Sequence, residues 1–268
     1  MSLLRASNVA FGYEGQELFR SINFQLQKGE IFCIIGPNGC GKSTLLDCLL
    51  GNLKPQAGEI FLKDQNIKTL SPKEMARHVA YVPQDHEKSF PYTVMDIILM
   101  GRASYTGYFG TPSAEDTLIA EEALRLLGIE KYKMRPYTKL SGGESQLVMM
   151  ARALAQQTPV IILDEPTSHL DFKHELLILE TLVRLVREKE LAVIITTHFP
   201  NHAFYFENNS IPTRVAMMNQ KTFSVLGKPS EVLSEENIKS VYDVNAKVIS
   251  YEHEDKEFKQ IVPLKTLA

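Results

Sequence analysis

An apolar segment, Ile31 to Ile35, runs directly into the loop GPNGCGKST and then into the helical segment TLLDCLLG. The loop matches the pattern G-x-x-x-x-G-K-[ST] from Gly36 to Ser43. A buried strand, a glycine-rich turn and a helix start present backbone N–H groups to an anion, and phosphate groups suit that arrangement. The order predicts an α/β fold, and the alternative, a glycine-rich turn that binds nothing, requires a chance match to the whole pattern.

The individual positions of this loop have distinct expected roles. The backbone N–H groups of residues 38–41 would surround phosphate oxygens. Lys42 would reach the β and γ oxygens, and Ser43 would bind Mg²⁺.

The rest of the chain alternates apolar strands with amphipathic helices. VIILDEP is an apolar strand that ends in carboxylates, AVIITTH is a second strand, and the helix between them carries Leu179, Val183 and Val186 in register. This alternation predicts a mostly parallel sheet covered on both faces. Earlier, LLRASNVAFGY and SINFQLQ are typical of short strands. Later, RVAMMNQKTFSVLGKP predicts a hairpin and SEVLSEENIKSVYDV one or two short helices.

Composition excludes several classes of protein. The chain has 29 Lys and Arg against 32 Asp and Glu, a net charge of −3, so nothing indicates a nucleic-acid partner. Cys33, Cys40 and Cys48 show neither CxxC spacing nor a nearby histidine cluster, so we expect a reducing compartment and no disulfide framework or zinc site. No apolar run reaches the roughly 18 to 20 residues that span a bilayer, and we expect a chain that stays on the cytosolic side, at a membrane but not through it.

A second glycine-containing segment, TKLSGGESQLVMMARAL, also predicts a phosphate site. The Ser141 hydroxyl, the exposed N–H groups of a helix start and the positive end of the helix dipole would all favour an anion. One chain thus carries two phosphate sites, which raises the question of what the second one binds.

Two adjacent acids, Asp164 and Glu165, follow the strand VIIL. Burying both is costly unless they serve a cation or a water. We expect Asp164 to hold Mg²⁺, directly or through a water, and Glu165 to polarise the attacking water. The alternative is a helix cap with a solvated neighbour.

Three further side chains are ambiguous by themselves. His198, after AVIITT, could donate to a γ-phosphate or be a structural histidine at a strand end. Gln84, after VAYVP, could act at the site or satisfy a turn. Tyr13, in FGYEG, could stack on adenine or simply pack.

Taken in order, these motifs resemble the nucleotide-binding subunits of ATP-binding cassette (ABC) transporters over nearly the whole chain. Tyr13 matches the family's adenine-stacking loop, GPNGCGKST its Walker A loop and Gln84 its Q-loop. LSGGE matches the signature, VIILDEP the Walker B strand, SHLD the D-loop and His198 the switch histidine. The resemblance implies a P-loop NTPase core with an N-terminal antiparallel β subdomain and an inserted α-helical subdomain.

The resemblance also implies the roles of individual residues. The signature residues Ser141, Gly142 and Gly143 would bind, in trans, the γ-phosphate of ATP held by the Walker A loop of a second antiparallel copy, with Asp171 communicating across the interface. The nucleotide-binding set would be Tyr13, Gly36, Pro37, Asn38, Gly39, Cys40, Gly41, Lys42, Ser43, Thr44, Ser141, Gly142, Gly143 and Asp171. The catalytic set would be Glu165, His198, Lys42 and Gln84, and the Mg²⁺ set Ser43, Gln84 and Asp164.

The expected boundaries are an ATPase domain over 1–230, with a helical subdomain over about 88–157, and a C-terminal extension over 231–268. Within the helical part, TPSAEDTLIAEEALRLLG begins with a pair typical of a capping box, Ser113 and Asp116. The segment SFPYTVMDIILMGRASYTGYFGTP, with its TV-x-D-x-x-LMGR pattern, resembles metal-chelate importers of ferric siderophores, haem and cobalamin. A molybdate, tungstate or other oxyanion importer is the alternative.

The resemblance implies ATP and Mg²⁺ as cofactors. It also implies a second copy and two membrane permease subunits as direct partners, an extracytoplasmic substrate-binding protein as an indirect one, and a place on the cytoplasmic face of the membrane. Residues 84–108 would receive the permease, although Phe90, Tyr92, Ile97, Ile98 and Leu99 could instead fill the subdomain core.

Two other functions are open alternatives: a non-transport ABC protein acting on nucleic acid or ribosomes, and a P-loop kinase. The sequence also departs from the family pattern in three places. Ser145 stands where many members have arginine. HFPNHAF replaces an HDLN-like sequence, and ENNSIPTR is longer than a typical turn.

Overall fold

The computed structural model describes residues 2–84, 90–106, 110–168, 170–253 and 256–267. Its strands are β1 (Ser2–Tyr13), β2 (Gln16–Gln27), β3 (Ile31–Ile35), β4 (Ala57–Leu62), β5 (Gln65–Asn66), β6 (Val79–Val82), β7 (Val160–Asp164), β8 (Ala192–Thr197), β9 (Thr213–Asn219), β10 (Thr222–Gly227), β11 (Val244–His253) and β12 (Lys256–Thr266). Its α-helices are α1 (Lys42–Leu49), α2 (Pro72–Ala76), α3 (Val94–Leu99), α4 (Ala114–Leu126), α5 (Gly142–Ala155), α6 (Phe172–Lys189), α7 (Asn201–Asn208), α8 (Pro229–Val232) and α9 (Glu235–Tyr242).

The chain divides into two compact units, one of Met1–Thr69 with Leu185–Ala268 and one of Leu70–Arg184. In the first unit, β1, β2, β4 and β5 form an antiparallel sheet, as the family resemblance implied. The N-terminal segments predicted short strands, whereas β1 and β2 have 12 residues each. In the same unit, β3 lies between β8 and β9 and is parallel to both. Phe24 of β2 stacks on Phe32 of β3 with ring centroids 4.6 Å apart, so aromatic packing joins the two sheets.

The strand β3 is buried along its whole length, as is β8. Both are continuous apolar runs with threonines only at the end of β8, which is the pattern of strands covered on two faces. Their register places Ile35 beside Thr197. The residues that follow these two strands therefore start from the same sheet edge.

The second unit contains the parallel pair β6 and β7, in register with Val82 beside Leu163. Its helices α3, α4 and α5 pack on one another. The expected Ser113–Asp116 capping box is present at the start of α4, where Asp116 N–H donates to Ser113 Oγ at 3.1 Å. Thr93 and Asp96 form a second capping box at the start of α3, so the TV-x-D part of the sequence pattern begins a helix.

The arginine of LMGR forms a buried ion pair in this helical region. Arg102 Nε lies 2.7 Å from Asp116 Oδ1, and Arg102 also donates to the Ala155 carbonyl at 3.0 Å. Its guanidinium lies 4.0 Å from the centroid of the Tyr105 ring. The hydrogen bond from Arg102 lowers the pKa of Asp116 to about 2, with further help from Ser113. Arg102 thus ties the loop after α3 to α4 and to the end of α5.

The C-terminal region adds more structure than the sequence indicated. The expected hairpin is β9 and β10, and the expected short helices are α8 and α9. The sequence assigned no structure to the charged residues after Tyr251, whereas Lys256–Thr266 form β12, which pairs antiparallel with β11. Within β12 only Ile261 is buried, and Phe258 and Val262 are half-buried.

Among the described helices, none is long and apolar enough to cross a membrane.

Replacement of Asp116 by asparagine tests the buried ion pair. Asp116→Asn should lower the free energy of unfolding by about 3 kcal/mol, because Arg102 keeps a buried charge without its counter-charge. The asparagine oxygen can still accept the capping hydrogen bond from Ser113, so the loss reports on the charge. Urea unfolding at neutral pH measures it.

Glu121→Gln is the matched control, since Glu121 lies on the same helix in a half-exposed pair with Lys133 and should cost under about 1 kcal/mol. Equal losses for the two variants would contradict a special role for Asp116. The folded pKa of Asp116 lies below its ordinary 3.8. The stability this carboxylate contributes is therefore present above about pH 4 and is lost as the pH falls towards 2.

Candidate functional site

The loop 36–43 has a backbone that only glycine accommodates at several positions. Gly39 and Gly41 have φ values of +78° and +102°, in the left-handed region. A Cβ on Gly36 would lie 2.4 Å from the Met218 carbonyl oxygen. Helix α1 begins at Lys42, and none of the described side chains caps it. The helix start is thereby available to an external anion, as the phosphate-site prediction requires.

Lys42 is almost fully buried, and its ammonium group lies inside this loop. Nζ donates to the carbonyl oxygens of Gly36 at 2.9 Å and Pro37 at 3.2 Å. These bonds hold the positive charge within the turn whose N–H groups would also face phosphate. Ser43 is exposed beside it and Thr44 is half-buried.

His198 follows β8, whose last residue, Thr197, pairs with Ile35. The loop 36–43 follows Ile35, so the register of β3 and β8 brings His198 and the phosphate loop to one edge of one sheet. The His198 ring is half-buried, with its centroid 4.0 Å from that of Phe199.

In the second unit, the register of two parallel strands likewise brings Gln84 and Glu165 together. Val82 of β6 pairs with Leu163 of β7. Gln84 lies two residues after Val82, and Glu165 lies two residues after Leu163. Gln84 Nε2 donates to Glu165 Oε2 at 3.4 Å. The structure therefore brings together two residues that the sequence predicted separately for one reaction centre.

The backbone at Glu165 is unusual. Its φ is +44°, in the left-handed region, which is uncommon for residues other than glycine and costs energy. The Ser168 N–H and hydroxyl both donate to the Glu165 carbonyl oxygen, at 3.0 and 2.8 Å, and so hold this turn. Glu165 is 9% exposed and Asp164, the last residue of β7, is 3% exposed. Both acids are buried where a solvated cap would leave them exposed.

Ser43, in the first unit, and Asp164, in the second, each carry a hard oxygen donor of the kind that Mg²⁺ prefers. Within the described part of the chain, no three His, Cys, Asp or Glu side chains cluster as an all-protein metal site. Mg²⁺ is usually held by one or two protein ligands together with substrate phosphates, so a single hydroxyl or carboxylate oxygen suits Mg²⁺ that arrives with a nucleotide.

The signature segment forms a capped helix start. Ser141 is the N-cap of α5, and its Oγ accepts from Glu144 N–H at 3.2 Å while Glu144 accepts from Ser141 N–H at 2.8 Å. That backbone bond is the main reason why the pKa of Glu144 is lowered. Arg135, which the sequence did not single out, lies 3.2 Å from Glu144. Ser145 Oγ donates to the Ser141 carbonyl at 2.9 Å, so serine in place of arginine adds a hydrogen bond at the helix start.

The start of α5 lies beside the residues after β7. A Cβ on Gly143 would lie 3.2 Å from Leu170 Cδ2. Asp171 accepts from the backbone N–H of His174 at 2.9 Å and lies 2.8 Å from His174 Nδ1, and these bonds lower its pKa. Phe172 is 83% exposed. The residues predicted to face a second copy, Ser141 to Gly143 and Asp171, are thus close together on a surface with an exposed aromatic ring.

Tyr13 lies at the end of β1 and is 53% exposed. Its ring meets Phe11 edge-on, with centroids 5.0 Å apart. Two predicted segments fall partly outside the described residues: His169 of SHLD, and residues 85–89 and 107–108 of the expected permease surface.

Two buried residues beside His198 were not predicted from the sequence. Thr197 Oγ1 lies 2.9 Å from His202 Nδ1 and accepts from Phe199 N–H at 3.0 Å. Both Thr197 and His202 are at most 3% exposed. The sequence signal was a second histidine four residues after the first, in HFPNHAF.

Comparison with known proteins agrees with the geometry. Residues 19–168 match the sequence profile of the ABC transporter family. The molybdate import ATP-binding protein MolC of Haemophilus influenzae is 35% identical over 98% of each chain. The iron(3+)-hydroxamate import ATP-binding protein FhuC of Bacillus subtilis is 34% identical over 93% of this chain and 91% of that one.

Two solved structures share the fold. A transporter described as being of metal-chelate type, in an inward-facing conformation, is 33% identical with a TM-score of 0.86, covering 99% of this chain and 98% of that one. A dimeric ATP-binding cassette in a post-hydrolysis state with ADP and phosphate is 27% identical with a TM-score of 0.71, covering 84% and 98%.

The phosphate loop, the signature helix start, the buried acids after β7 and these similarities lead to one conclusion: the chain belongs to the ABC transporter family, as an ATP-hydrolysing ATP-binding subunit.

Proposed function

We propose that two copies of this chain close around ATP and so power the import of a metal chelate through a membrane permease. The observation that carries the proposal is the exposed start of α5, where Ser141 and Gly142 lie at a helix N-terminus, a position that favours phosphate. The chain's own phosphate loop is a separate helix start, at Lys42. Two such sites in one chain suit a symmetric pair in which each copy completes the other's site.

Several residues of the chain would each have a separate role in ATP hydrolysis. The loop 36–43 holds the phosphates with its N–H groups, and Lys42 exchanges its carbonyl partners for β and γ oxygens. When bound, Mg²⁺ neutralises charge on the phosphate oxygens, with Ser43, Asp164 and Gln84 as its expected ligands. Glu165 polarises the attacking water, and His198 donates to the γ-phosphate. Tyr13 offers its exposed ring to adenine.

The contact of Gln84 with Glu165 supports these roles. An amide that donates to the carboxylate holds it in one orientation, and burial keeps competing water away from it. The left-handed backbone conformation at Glu165 also supports a role in the reaction, because strain of this kind is concentrated at functional sites.

The proposal also includes the class of substrate that is transported. A ferric chelate is favoured by the TV-x-D-x-x-LMGR pattern and by the similarity to FhuC and to the metal-chelate-type structure. A molybdate or other oxyanion is the second candidate, favoured by the similarity to MolC over 98% of both chains.

The permease would bind the helical region of the second unit, on the cytoplasmic face of the membrane, with an extracytoplasmic binding protein delivering the substrate. Phe90, Tyr92, Met100 and Tyr105 are each at least 40% exposed there, and the Phe90 and Tyr92 rings are 5.9 Å apart. Ile98 is fully buried, so it fills the subdomain core. Exposed aromatic side chains in one short segment are typical of a protein-binding surface.

Replacement of Glu165 by glutamine should abolish hydrolysis and leave ATP binding intact, because the amide keeps the size of the side chain but cannot polarise water. The ATP-bound dimer should then accumulate. Size-exclusion chromatography with and without ATP, together with phosphate release, measures both effects. Glu188→Gln, at an exposed position on α6, should behave like wild type. Wild-type hydrolysis by Glu165→Gln would remove Glu165 from its proposed role.

The signature can be separated from helix capping by a matched pair of variants. Ser141→Ala and Ser71→Ala each remove the serine of a Ser–Glu capping box, at α5 and α2, and each should cost about 1 kcal/mol of stability. Only Ser141→Ala should abolish ATPase activity, measured with ATP affinity of the monomer as a second readout. Loss of monomer affinity along with activity would show that Ser141 acts within its own chain.

Gly142→Ala is a further test of whether a second copy completes the site at the signature. The added methyl group enters open space as far as the described residues are concerned, and alanine favours a helix over glycine by about 1 kcal/mol. The variant should therefore be at least as stable as wild type and yet inactive. Wild-type activity would contradict a signature face that is closed by another copy.

Phe90→Ser should prevent co-purification with the permease while leaving the ATPase activity of the soluble chain within twofold of wild type. Met134→Ser, which also removes an exposed apolar side chain from the helical unit, is the matched control and should retain the permease. Pull-down from detergent-solubilised membranes distinguishes them. Mass spectrometry of the ligand on the co-purified binding protein then decides between a chelate and an oxyanion.

A further inference from the structure

The helix after His198 is bonded directly to the C-terminal hairpin. Asn201, the first residue of α7, donates from Nδ2 to the Ile261 carbonyl at 3.1 Å, and its Oδ1 accepts from Ile261 N–H at 2.8 Å. The asparagine amide thus pairs with the backbone of β12 as a neighbouring peptide group would. The side chain of Ile261 is buried, so this pairing occurs where the hairpin packs against the domain.

The other end of α7 repeats the arrangement. Asn208 Nδ2 donates to the Lys259 carbonyl at 3.3 Å, and Lys259 N–H donates to Asn208 Oδ1 at 3.4 Å. Lys259 and Ile261 are two residues apart, so both asparagines bind the same edge of β12. The contacts at Asn201 are the shorter pair, and they lie next to the site.

From Asn201 the connection to His198 is short. His202, the next residue, bonds to Thr197, and Thr197 Oγ1 accepts from Phe199 N–H. His202 N–H donates to the Phe199 carbonyl at 3.1 Å, which closes the turn. His198 therefore lies in a turn that is fixed on one side by Thr197 and on the other by the start of α7.

We propose that Asn201, Thr197 and His202 are positioning residues for His198, and that the C-terminal hairpin is thereby a working part of the hydrolysis site. The inference rests on the role proposed for His198 above. Without the Asn201 pairing, the start of α7 loses its attachment to β12 and the His198 turn gains freedom. Catalysis needs a donor held to a fraction of an ångström, so this freedom lowers kcat more than ATP binding.

The matched variants are Asn201→Ala and Asn208→Ala in the full-length chain. Each removes two hydrogen bonds between α7 and β12, but only Asn201 adjoins the His198 turn. Asn201→Ala should lower kcat at least tenfold with KM for ATP within twofold of wild type, and Asn208→Ala should leave both within twofold. Hydrogen exchange of the amides of His198, Phe199, Asn201 and His202 should accelerate in Asn201→Ala alone. An unchanged kcat or exchange rate in Asn201→Ala, or an equal fall in kcat for Asn208→Ala, overturns the proposal.

A background without the histidine separates this inference from the proposed function. In His198→Ala, the further change Asn201→Ala should have no effect on residual activity, whereas an additional tenfold loss would show that Asn201 acts through another group. If His198→Ala hydrolyses ATP like wild type, the role of His198 itself is wrong. If His198→Ala is inactive and Asn201→Ala is normal, only the positioning role is wrong.

A second set of variants avoids dependence on the hairpin remaining folded. Thr197→Val keeps the shape of a buried side chain but removes its hydroxyl, and kcat should fall at least tenfold. Thr197→Ser restores the hydroxyl and should recover kcat to within threefold of wild type. Equal activity in the valine and serine variants would count against positioning through Thr197.

Discussion

The register between buried parallel strands determines where the candidate groups lie. Ile35 pairs with Thr197 in one unit and Val82 pairs with Leu163 in the other. Because each strand advances about 3.3 Å per residue, a slip of one residue between β3 and β8 would move His198 by that distance relative to the phosphate loop. The aliphatic side chains that keep these strands buried therefore also set the positions of the reacting groups.

The strand ends that carry the candidate residues could be predicted from the sequence, because the pattern that marks a strand end is local. An apolar run that ends at a polar residue marks a strand end, and four such runs preceded Gly36, Gln84, Asp164 and His198. The Ser113–Asp116 capping box was also predicted, since its two members are three residues apart.

Contacts between distant residues could not be predicted in this way. Arg102 and Asp116 form a buried pair across a loop, and nothing in their spacing indicates burial. The strand β12 was not predicted, because only Ile261 among its residues is buried and because one of its edges bonds to side chains of α7 while the other pairs with β11. A side chain that takes the place of a neighbouring strand leaves no periodic trace in the sequence of either partner.

The departures from the family pattern gain a physical explanation in α7. HFPNHAF contains Asn201 and His202, and ENNSIPTR contains Asn208, so these unusual segments carry the residues that bind the C-terminal hairpin and Thr197. The segments that depart from the family pattern therefore contain the residues that bind a later segment of the same chain.

The empty space around Gly142 has a consequence for how this position changes in evolution. A methyl group there touches nothing in the described part of the subunit, so the packing of the described residues does not require glycine. In the proposed dimer, selection at this position acts on the assembled pair alone. A descendant that no longer paired with another copy would be free to replace Gly142 by alanine, and that replacement would be a sign that the partner had been lost.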